Sequence, residues 1–459
     1  MNLHGPVRAP ATAGVGTAIV TISLESWQQG DVSATTHGVT VVAPRPGPKP
    51  EPVSARLFKT LICPDRRAAN PNLRFSPDGS KMLVAAYPSG IVQLWDAANW
   101  QEIRRIETVS GYRGSANYAI LSPDWSTLYV VSDKSLATRF ERDGKQLWKL
   151  DFDDEIRRWD LASGKPLPAL KLGKNELMEI RPTLDGKSII ASERPPYESR
   201  EVPHGIVNVY DLASCTARKL ADGYGHSIYS PDGKTVALSV SHYRPNSAHL
   251  LLLEAGSWKQ LARWDAPANR VVYPGAYSPD GKWLALYESV DKGEILHLHI
   301  LDASTLRHVH AFPSRLNENG SSGFRAALFM PDGKTLIAIE SGGRIHLFDL
   351  PSKRDEEVFT LPAKFNIWSA LLSPDGKTLA VHGQAMVEVK DAPPDDVNPE
   401  DLPQPRIFLF DLATRRLAEE IVCPHGLWGG MAFSPDSRTL AAGGCGAVHL
   451  FNMKLPAKK

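Results

Sequence analysis

The sequence predicts an all-β fold made of eight repeats of a four-stranded sheet. One observation is a turn of the form Ser-Pro-Asp-Gly, which recurs eight times with 43 to 61 residues between successive copies. The other is an alternating apolar strand after each copy, which ends in an aromatic residue or Leu followed by an acid or Asn. A period of this length, with turn residues at fixed offsets, is typical of one small sheet per repeat.

The recurring turn has the chemistry of a tight hairpin connection. Pro presets φ for the second position of a type I turn, Asp is favoured at the third, and Gly supplies the positive φ from which the next strand leaves. Apolar residues flank the first copy on both sides, as in Leu73, Phe75, Met82 and Val84. The eight copies are Ser76–Gly79, Ser122–Trp125, Thr183–Gly186, Ser230–Gly233, Ser278–Gly281, Met330–Gly333, Ser373–Gly376 and Ser434–Ser437.

The alternating segments are predicted to be the third strands of the repeats. A more polar fourth strand then leads to the next turn, as in residues 101–109 and 306–312. The third strands end at Trp95-Asp96, Trp159-Asp160, Tyr210-Asp211, Leu253-Glu254, Leu301-Asp302, Phe348-Asp349, Phe410-Asp411 and Phe451-Asn452.

The turn and the strand end together resemble the WD-repeat β-propeller family, in a divergent bacterial style. The resemblance covers residues 54 to about 452 and is specific because the pair of motifs recurs eight times in order. It implies an eight-bladed propeller, with seven blades as the alternative if the second or third repeat is degenerate. The Gly-His pair that usually opens each repeat is mostly missing, so the family's His–Asp network inside the blades is not carried over.

A propeller must cover its first and last strand edges, and the two ends of this chain suggest how. Only seven residues follow Asn452, too few for a good fourth strand. Residues 56–64 match residues 416–424, the fourth strand of the seventh repeat, with Arg-Leu and Cys-Pro at identical spacing. Residues 54–62 are therefore predicted to form the outer strand of the last blade.

Residues 1–53 lie outside the repeat. Residues 1–43 are predicted to form a β-hairpin, and residues 44–53 a stiff linker, since five prolines fall in nine residues. The hairpin resembles the last two strands of an immunoglobulin-like sandwich. It is interpreted either as the end of a truncated domain or as a hairpin that packs on the propeller, which itself is predicted to span residues 54–459.

Composition excludes several classes of function. Lys and Arg total 52 against 51 Asp and Glu, so no excess positive charge favours nucleic acid. No apolar run is long enough to span a membrane, and no signal peptide is legible. The location is predicted as cytoplasmic by default, or extracytoplasmic if the amino terminus is truncated. The four cysteines contain no CxxC pair, and a monomeric propeller is expected.

A protein partner is predicted to bind the face opposite the Asp-Gly turns. The long insertions, at about residues 133–155, 193–205 and 384–405, fall on that face. Trp, Tyr and Arg, the usual anchors of interfaces, are frequent in the loops that join blades there. The alternative is that several of them pack between blades or line the channel. The predicted partner-binding residues are Tyr112, Arg113, Tyr224, Arg270, Tyr273, Arg315, Arg325, Phe365, Trp368 and Trp428.

No catalytic, cofactor or metal motif was found, so the chain is predicted to be a non-catalytic interaction scaffold. The Gly-Lys-Ser and Gly-Lys-Thr segments lack the earlier Gly of a phosphate-binding loop. Cys423 and His425 are too few for a metal, and the acidic stretch 391–401 is interpreted as a solvated loop rather than a calcium site. No repeat-specific Asp, Glu or His stands out.

The alternative function is an extracytoplasmic propeller enzyme or sensor that binds a small molecule or metal at the channel mouth, and a third is a purely architectural module.

Overall fold

Strands account for all the regular secondary structure of the described residues, and no helix occurs among them. The structure is a computed structural model, and its described residues belong to one unit, formed by residues 53–392 and 403–459. The predicted hairpin at 1–43 and linker at 44–53 lie outside them. The described residues are 54, 56–63, 72–86, 90–108, 119–132, 136–142, 145–171, 173–198, 204–243, 246–289, 295–314, 323–361, 365–385, 404–423, 430–444 and 446–454.

The strands form eight four-stranded antiparallel sheets, which confirms the all-β, repeated-sheet prediction. Sheet 1 consists of β2 (Asn72–Phe75), β3 (Lys81–Ala86), β4 (Ile91–Asp96) and β5 (Glu102–Glu107), and sheet 2 of β6 (Ala119–Leu121), β7 (Thr127–Ser132), β10 (Glu155–Asp160) and β11 (Pro166–Lys171). Sheet 3 consists of β12 (Glu176–Pro182), β13 (Ser188–Arg194), β15 (Ile206–Asp211) and β16 (Ala217–Asp222). Sheet 4 consists of β17 (Tyr224–Tyr229), β18 (Thr235–Tyr243), β19 (Asn246–Glu254) and β20 (Gln260–Asp265).

Sheet 5 consists of β21 (Val271–Tyr277), β22 (Trp283–Ser289), β23 (Ile295–Asp302) and β24 (His308–Pro313), and sheet 6 of β25 (Phe324–Phe329), β26 (Thr335–Glu340), β27 (Arg344–Asp349) and β28 (Arg354–Thr360). Sheet 7 consists of β29 (Phe365–Leu372), β30 (Thr378–Ala385), β31 (Arg406–Asp411) and β32 (Arg416–Val422). Sheet 8 consists of β33 (Met431–Phe433), β34 (Thr439–Gly444), β35 (Ala447–Asn452) and β1 (Leu57–Ile62). All eight third strands end at the predicted acid or Asn.

The strand order gives every sheet two different ends. The Ser-Pro-Asp-Gly turns join first to second strands, and short turns join third to fourth strands, at one end, which we call the turn edge. The connections between second and third strands, and those between successive sheets, lie at the other end, which we call the loop edge.

Sheet 8 combines strands from both ends of the repeat region. β1 pairs antiparallel with β35, with Leu61 opposite Val448 and Ile62 opposite Ala447. The backbone N–H of Cys63 continues the pairing by donating to the carbonyl of Gly446 at 2.7 Å. β1 is therefore an edge strand of sheet 8, next to the third strand of that sheet.

The core consists of apolar clusters between neighbouring sheets. Among the described residues each of eight clusters is shared by two sheets that follow one another in the chain, except one that is shared by sheets 8 and 1. In that cluster Leu61 and Val448 pack with Leu73 and Met82. Because each sheet is buried on both faces, the second strands are nearly continuous runs of buried apolar residues.

Cys63 and Cys423 occupy the matching repeat positions noted in the sequence, and both are buried free thiols. Burial raises the pKa of the Cys63 thiol to about 11 and that of Cys423 to about 12. Both are therefore protonated and unreactive at neutral pH.

Candidate functional site at the loop edge

The turns at the turn edge are held by hydrogen bonds among their own residues. In the fifth turn the Ser278 hydroxyl donates to Asp280 at 2.7 Å and accepts from the Trp283 N–H at 2.9 Å. Equivalent Ser or Thr to Asp bonds occur in seven of the eight turns. In the first turn the bond from Ser76 is the main reason that the pKa of Asp78 falls to about 2. The turn carboxylates are therefore engaged within the turns, whereas the side chains of Lys234, Lys282 and Lys377 beside them remain at least 72% exposed.

The predicted insertions of sheets 2 and 3 combine into an additional sheet at the loop edge. β8 (Leu136–Arg142) and β9 (Lys145–Asp151) form a hairpin between the second and third strands of sheet 2. β14 (Tyr197–Glu198), from the same position in sheet 3, pairs with β9 to give a three-stranded sheet. A salt bridge of 2.9 Å between Arg142 and Glu198 also joins the two insertions. The sequence predicted both insertions, but not their pairing.

The additional sheet exposes an aromatic side chain. Trp148 in β9 is 47% exposed, and the Arg139 guanidinium lies 5.7 Å from its ring centroid. A cation above an indole face is a favourable arrangement that also leaves the ring accessible. Trp and Arg together are frequent anchors in protein interfaces. Trp148 was not among the residues predicted from the sequence.

A row of polar side chains crosses the first strands of sheets 3, 4 and 5. The Arg181 guanidinium lies 3.3 Å from Glu179, and the ring of His226 hydrogen-bonds to the same carboxylate. The His226 ring in turn lies edge-on to Tyr273, with 5.4 Å between centroids. Burial alone would raise the pKa of Glu179, but the hydrogen bond from His226 and the nearby positive charges outweigh it and lower the pKa.

Buried glutamates recur at one position of the repeat. Glu193, Glu288 and Glu340 each lie seven residues after a turn glycine, at the loop edge of a second strand, and each is at most 3% exposed. Glu193 accepts hydrogen bonds from Tyr210 at 2.6 Å and from Asn208 at 2.9 Å. The expectation that no acidic or His residue is specific to particular repeats is therefore wrong. Alignment of the repeats on the turn glycine would have revealed these three glutamates.

A groove of about 530 Å³ lies between the outer strands of sheets 3 and 4. Its polar lining includes Asp222, His242, His249, Arg263 and Asp265. The rings of His242 and His249 stack with 6.1 Å between centroids. Burial, with smaller contributions from the charges of Arg263 and His242, lowers the pKa of His249 to about 4. His249 is therefore neutral at physiological pH.

Two of the predicted partner-binding residues belong to the start of sheet 5, and a third begins sheet 4. Arg270 directly precedes β21, and its guanidinium lies 3.5 Å from Glu288. Tyr273 in β21 is 36% exposed and contacts His226. Tyr224, the first residue of β17, is partly exposed.

The other predicted residues are more scattered. Arg325 in β25 is exposed, and Trp368 in β29 is partly buried with its ring edge-on to His382 at 5.1 Å. Phe365 needs correction, because it is 5% exposed and packs against Phe408 in the core between sheets 6 and 7, out of reach of a partner. Tyr112, Arg113, Arg315 and Trp428 lie outside the described residues.

Within the part of the chain that the structure describes, one set of side chains has the composition and spacing to hold a metal ion. It consists of Glu288, His297 and His299, whose ligand atoms all lie within 4.8 Å of one another. Burial lowers the pKa of His299 despite the nearby Glu288 carboxylate. In the same part of the chain, no helix has the length and apolarity to cross a membrane.

Comparisons with known proteins add little to this geometry. No family model matches the chain, and no curated protein matches it. Among solved structures, one described as the crystal structure of the eukaryotic initiation factor is similar over 81% of this chain and 80% of that chain, with 16% sequence identity and a TM-score of 0.49.

Proposed function

We propose that the chain is an eight-bladed β-propeller of the WD-repeat type, and that it serves as a non-catalytic scaffold which binds a protein partner at the loop edge. The sheets are then the blades, and β1 seals the ring by completing the last blade. The two parts of the proposal rest on different observations and are tested separately.

The closed ring is supported by contacts between the first and last sheets. The cluster shared by sheets 8 and 1 is of the same kind as the seven between sheets that are consecutive in the chain. At the turn edge, a Cβ at Gly79 of sheet 1 would lie 3.5 Å from Pro435 of sheet 8, as one at Gly281 would lie 3.9 Å from Pro231 of the preceding sheet. β33 also contacts β2. Deletion of residues 1–64 should therefore lower the melting temperature of the entire propeller; equal melting of the two chains would contradict the closure.

The binding role rests chiefly on Trp148 and Tyr273, the Trp and Tyr side chains that are exposed among the described residues, because both lie at the loop edge. At the loop edge, Trp148, Tyr273 and Arg325 present exposed aromatic or guanidinium surface. At the turn edge the tight turns are held by their own hydrogen bonds. Aromatic and Arg side chains supply most of the energy in protein interfaces, usually from a few central residues.

Quantitative affinity capture from the native host tests the role. The full chain is compared with Trp148→Ala, Tyr273→Ala and Arg325→Ala variants, and captured proteins are measured by mass spectrometry. We expect a specific partner whose recovery falls at least about tenfold in one or more variants, because loss of an anchor costs about 2 kcal/mol or more.

A matched control distinguishes the two edges. Leu184 in the third Ser-Pro-Asp-Gly-type turn is 48% exposed, about the same as Trp148 at 47%. Leu184→Ala should leave recovery of the partner unchanged. A partner lost with Leu184→Ala but retained by all three loop-edge variants would place the binding surface on the turn edge and refute the proposal.

A further inference from the structure

Sheets 5 and 6 carry polar clusters at the same four repeat positions, but with different chemistry. The positions are seven residues after the turn glycine, five and three residues before the Asp that ends the third strand, and six residues after that Asp. In sheet 6 they hold Glu340, Arg344, His346 and Asp355. In sheet 5 they hold Glu288, His297, His299 and His308.

The cluster of sheet 6 is a balanced set of ion pairs. Arg344 donates to Glu340 at 2.6 Å, and Nδ1 of His346 lies 2.9 Å from Asp355. Two carboxylates therefore face one guanidinium and one imidazole. Each cation of this cluster is thus paired with a carboxylate, and Nε2 of His346 lies 3.7 Å from Glu340.

The cluster of sheet 5 lacks that balance. Histidine replaces both the Arg and the second carboxylate, so that two imidazoles contact the carboxylate of Glu288 and the third, that of His308, contacts His299. Nδ1 of His297 lies 3.0 Å from one oxygen of Glu288, and Nε2 of His299 lies 2.9 Å from the other. Imidazole nitrogens and a carboxylate oxygen are the donor set that Zn²⁺ and related divalent metals prefer.

We propose that Glu288, His297 and His299 form a binding site for a divalent transition metal of the Zn²⁺ class. Tetrahedral zinc with bonds of 2.0–2.1 Å would place its donor atoms about 3.3 Å apart. The observed separations of 2.9 and 3.0 Å, and a maximum of 4.8 Å, need only small side-chain adjustments to reach this. Three protein donors leave a fourth position for water or an external ligand.

The strands hold these donors in place. Glu288 on β22 is directly opposite His297 on β23, and His299 is two residues further along the same strand and face. Glu288 is 3% exposed and His299 is 8% exposed, whereas the side chain of His297 is 36% exposed. The site is therefore rigid on one side and reachable from solvent on the other.

His308 supplies the outer partner that metal-bound histidines usually have. Its Nε2 lies 3.1 Å from Nδ1 of His299, the ring nitrogen that points away from Glu288. By accepting a hydrogen bond from Nδ1, His308 would keep Nε2 of His299 unprotonated and available to the metal. The residue acts through His299 and is a positioning residue, not a ligand.

Arg270 opposes the metal and thereby provides a sharp test. Its guanidinium lies 3.5 Å from Glu288, so its positive charge competes with a cation for the same carboxylate. Arg270→Gln should tighten metal binding, whereas removal of a ligand should weaken it. If the cluster has only a structural role, neither Arg270→Gln nor removal of a ligand should change the metal affinity.

The experiment uses the full chain without a histidine tag. Zn²⁺ binding is measured by isothermal titration calorimetry, and Co²⁺ absorption reports the coordination geometry. We expect about one equivalent of metal and a tetrahedral Co²⁺ spectrum. His297→Ala should raise Kd at least about tenfold, and His308→Ala should raise it by roughly tenfold. His297 is chosen because it is partly exposed, and circular dichroism establishes that each variant folds.

His242→Ala is the matched control, because His242 is also a partly exposed histidine that stacks on a second one, His249. It should leave Kd and the Co²⁺ spectrum unchanged. Glu288→Gln retains the shape of the side chain and provides a second test of the carboxylate. Absence of Zn²⁺ binding by the unaltered chain, or binding that survives both His297→Ala and Glu288→Gln, would overturn the assignment.

Discussion

At the turn edge, polar stabilisation is divided among eight similar turns, whereas at the loop edge it is concentrated in a few buried carboxylates. The turn aspartates are largely exposed, and each is held by short local bonds, as Asp280 is by Ser278. The loop-edge glutamates are buried and depend on partners from other strands, as Glu340 does on Arg344.

The difference indicates which edge preserves the fold and which varies between sheets. Seven of the eight turns use the same Ser or Thr to Asp bond, so the turn edge is nearly identical from sheet to sheet. The second-strand glutamate occurs only in sheets 3, 5 and 6 among the eight, and each has different partners. This variation between sheets is why the proposed binding surface and the proposed metal site are both assigned to the loop edge.

We expect the largest loss of stability from a single substitution at the loop edge. Glu340→Ala removes a carboxylate that is 2% exposed and leaves Arg344 and His346 without their shared counter-charge. Breaking a buried ion pair on one side costs about 3–5 kcal/mol of the free energy of unfolding. Denaturation in urea measures this loss.

An exposed ion pair of the same type is the control for Glu340. Glu356 pairs with Arg415 at 2.7 Å, but both side chains are at least 39% exposed. Glu356→Ala should cost at most about 1 kcal/mol. Equal losses for the two variants would mean that burial does not separate the loop-edge glutamate from ordinary surface charges.

At the turn edge, the largest effect is expected where neighbouring turns touch. Gly376 has φ of +71°, and a Cβ there would lie 2.7 Å from Cδ of Pro331 in the turn of sheet 6. Gly376→Ala should therefore cost about 2–4 kcal/mol, from backbone strain and steric overlap together. Gly186 has a similar φ of +67° but nothing within 4 Å of the added atom, so Gly186→Ala should cost only about 1–2 kcal/mol. Thermal unfolding of the two variants would show whether the turns press on one another.

The sequence predicts the turn edge far better than the loop edge, because the turn edge depends on short motifs that repeat along the chain. The turns, the third-strand ends and the outer position of β1 could be predicted because a repeated motif fixes them within a few residues. The pairing of β9 with β14 could not, since it joins insertions about 50 residues apart that share no motif. His297 and His299 are visible in the sequence as alternating histidines, but only the register of β22 with β23 brings Glu288 to them. Phe365 was misassigned because an aromatic residue at a strand start suits both a core and an interface.

A smaller loss of stability is expected when the Ser hydroxyl of one turn is removed. Ser278 is fully buried and bonds both Asp280 and the Trp283 N–H, so Ser278→Ala removes two short bonds. The sixth turn has Met330 at this position, and there Asp332 itself accepts from the N–H of Thr335 at 2.9 Å. Because Asp280 can take over the Trp283 N–H in the same way, we expect a loss of only about 1 kcal/mol. A loss as large as that for Glu340→Ala in urea would show that the turns are not interchangeable.

The smallest effect is a dependence of stability on alkaline pH, and it arises from His346 at the loop edge. Burial alone would lower the pKa of His346, but the carboxylates of Glu340 and Asp355 outweigh burial and raise it. The folded protein then holds a proton that the unfolded chain, with an ordinary pKa near 6.5, releases first. The stabilisation is complete below about pH 6.5 and is lost as pH rises through the raised pKa of the folded state. His346→Gln removes the titrating group, so the decline in free energy of unfolding between about pH 6 and pH 9 should be steeper in the unaltered chain than in the variant. Parallel declines would mean that the carboxylates at this edge do not hold His346 in its charged form.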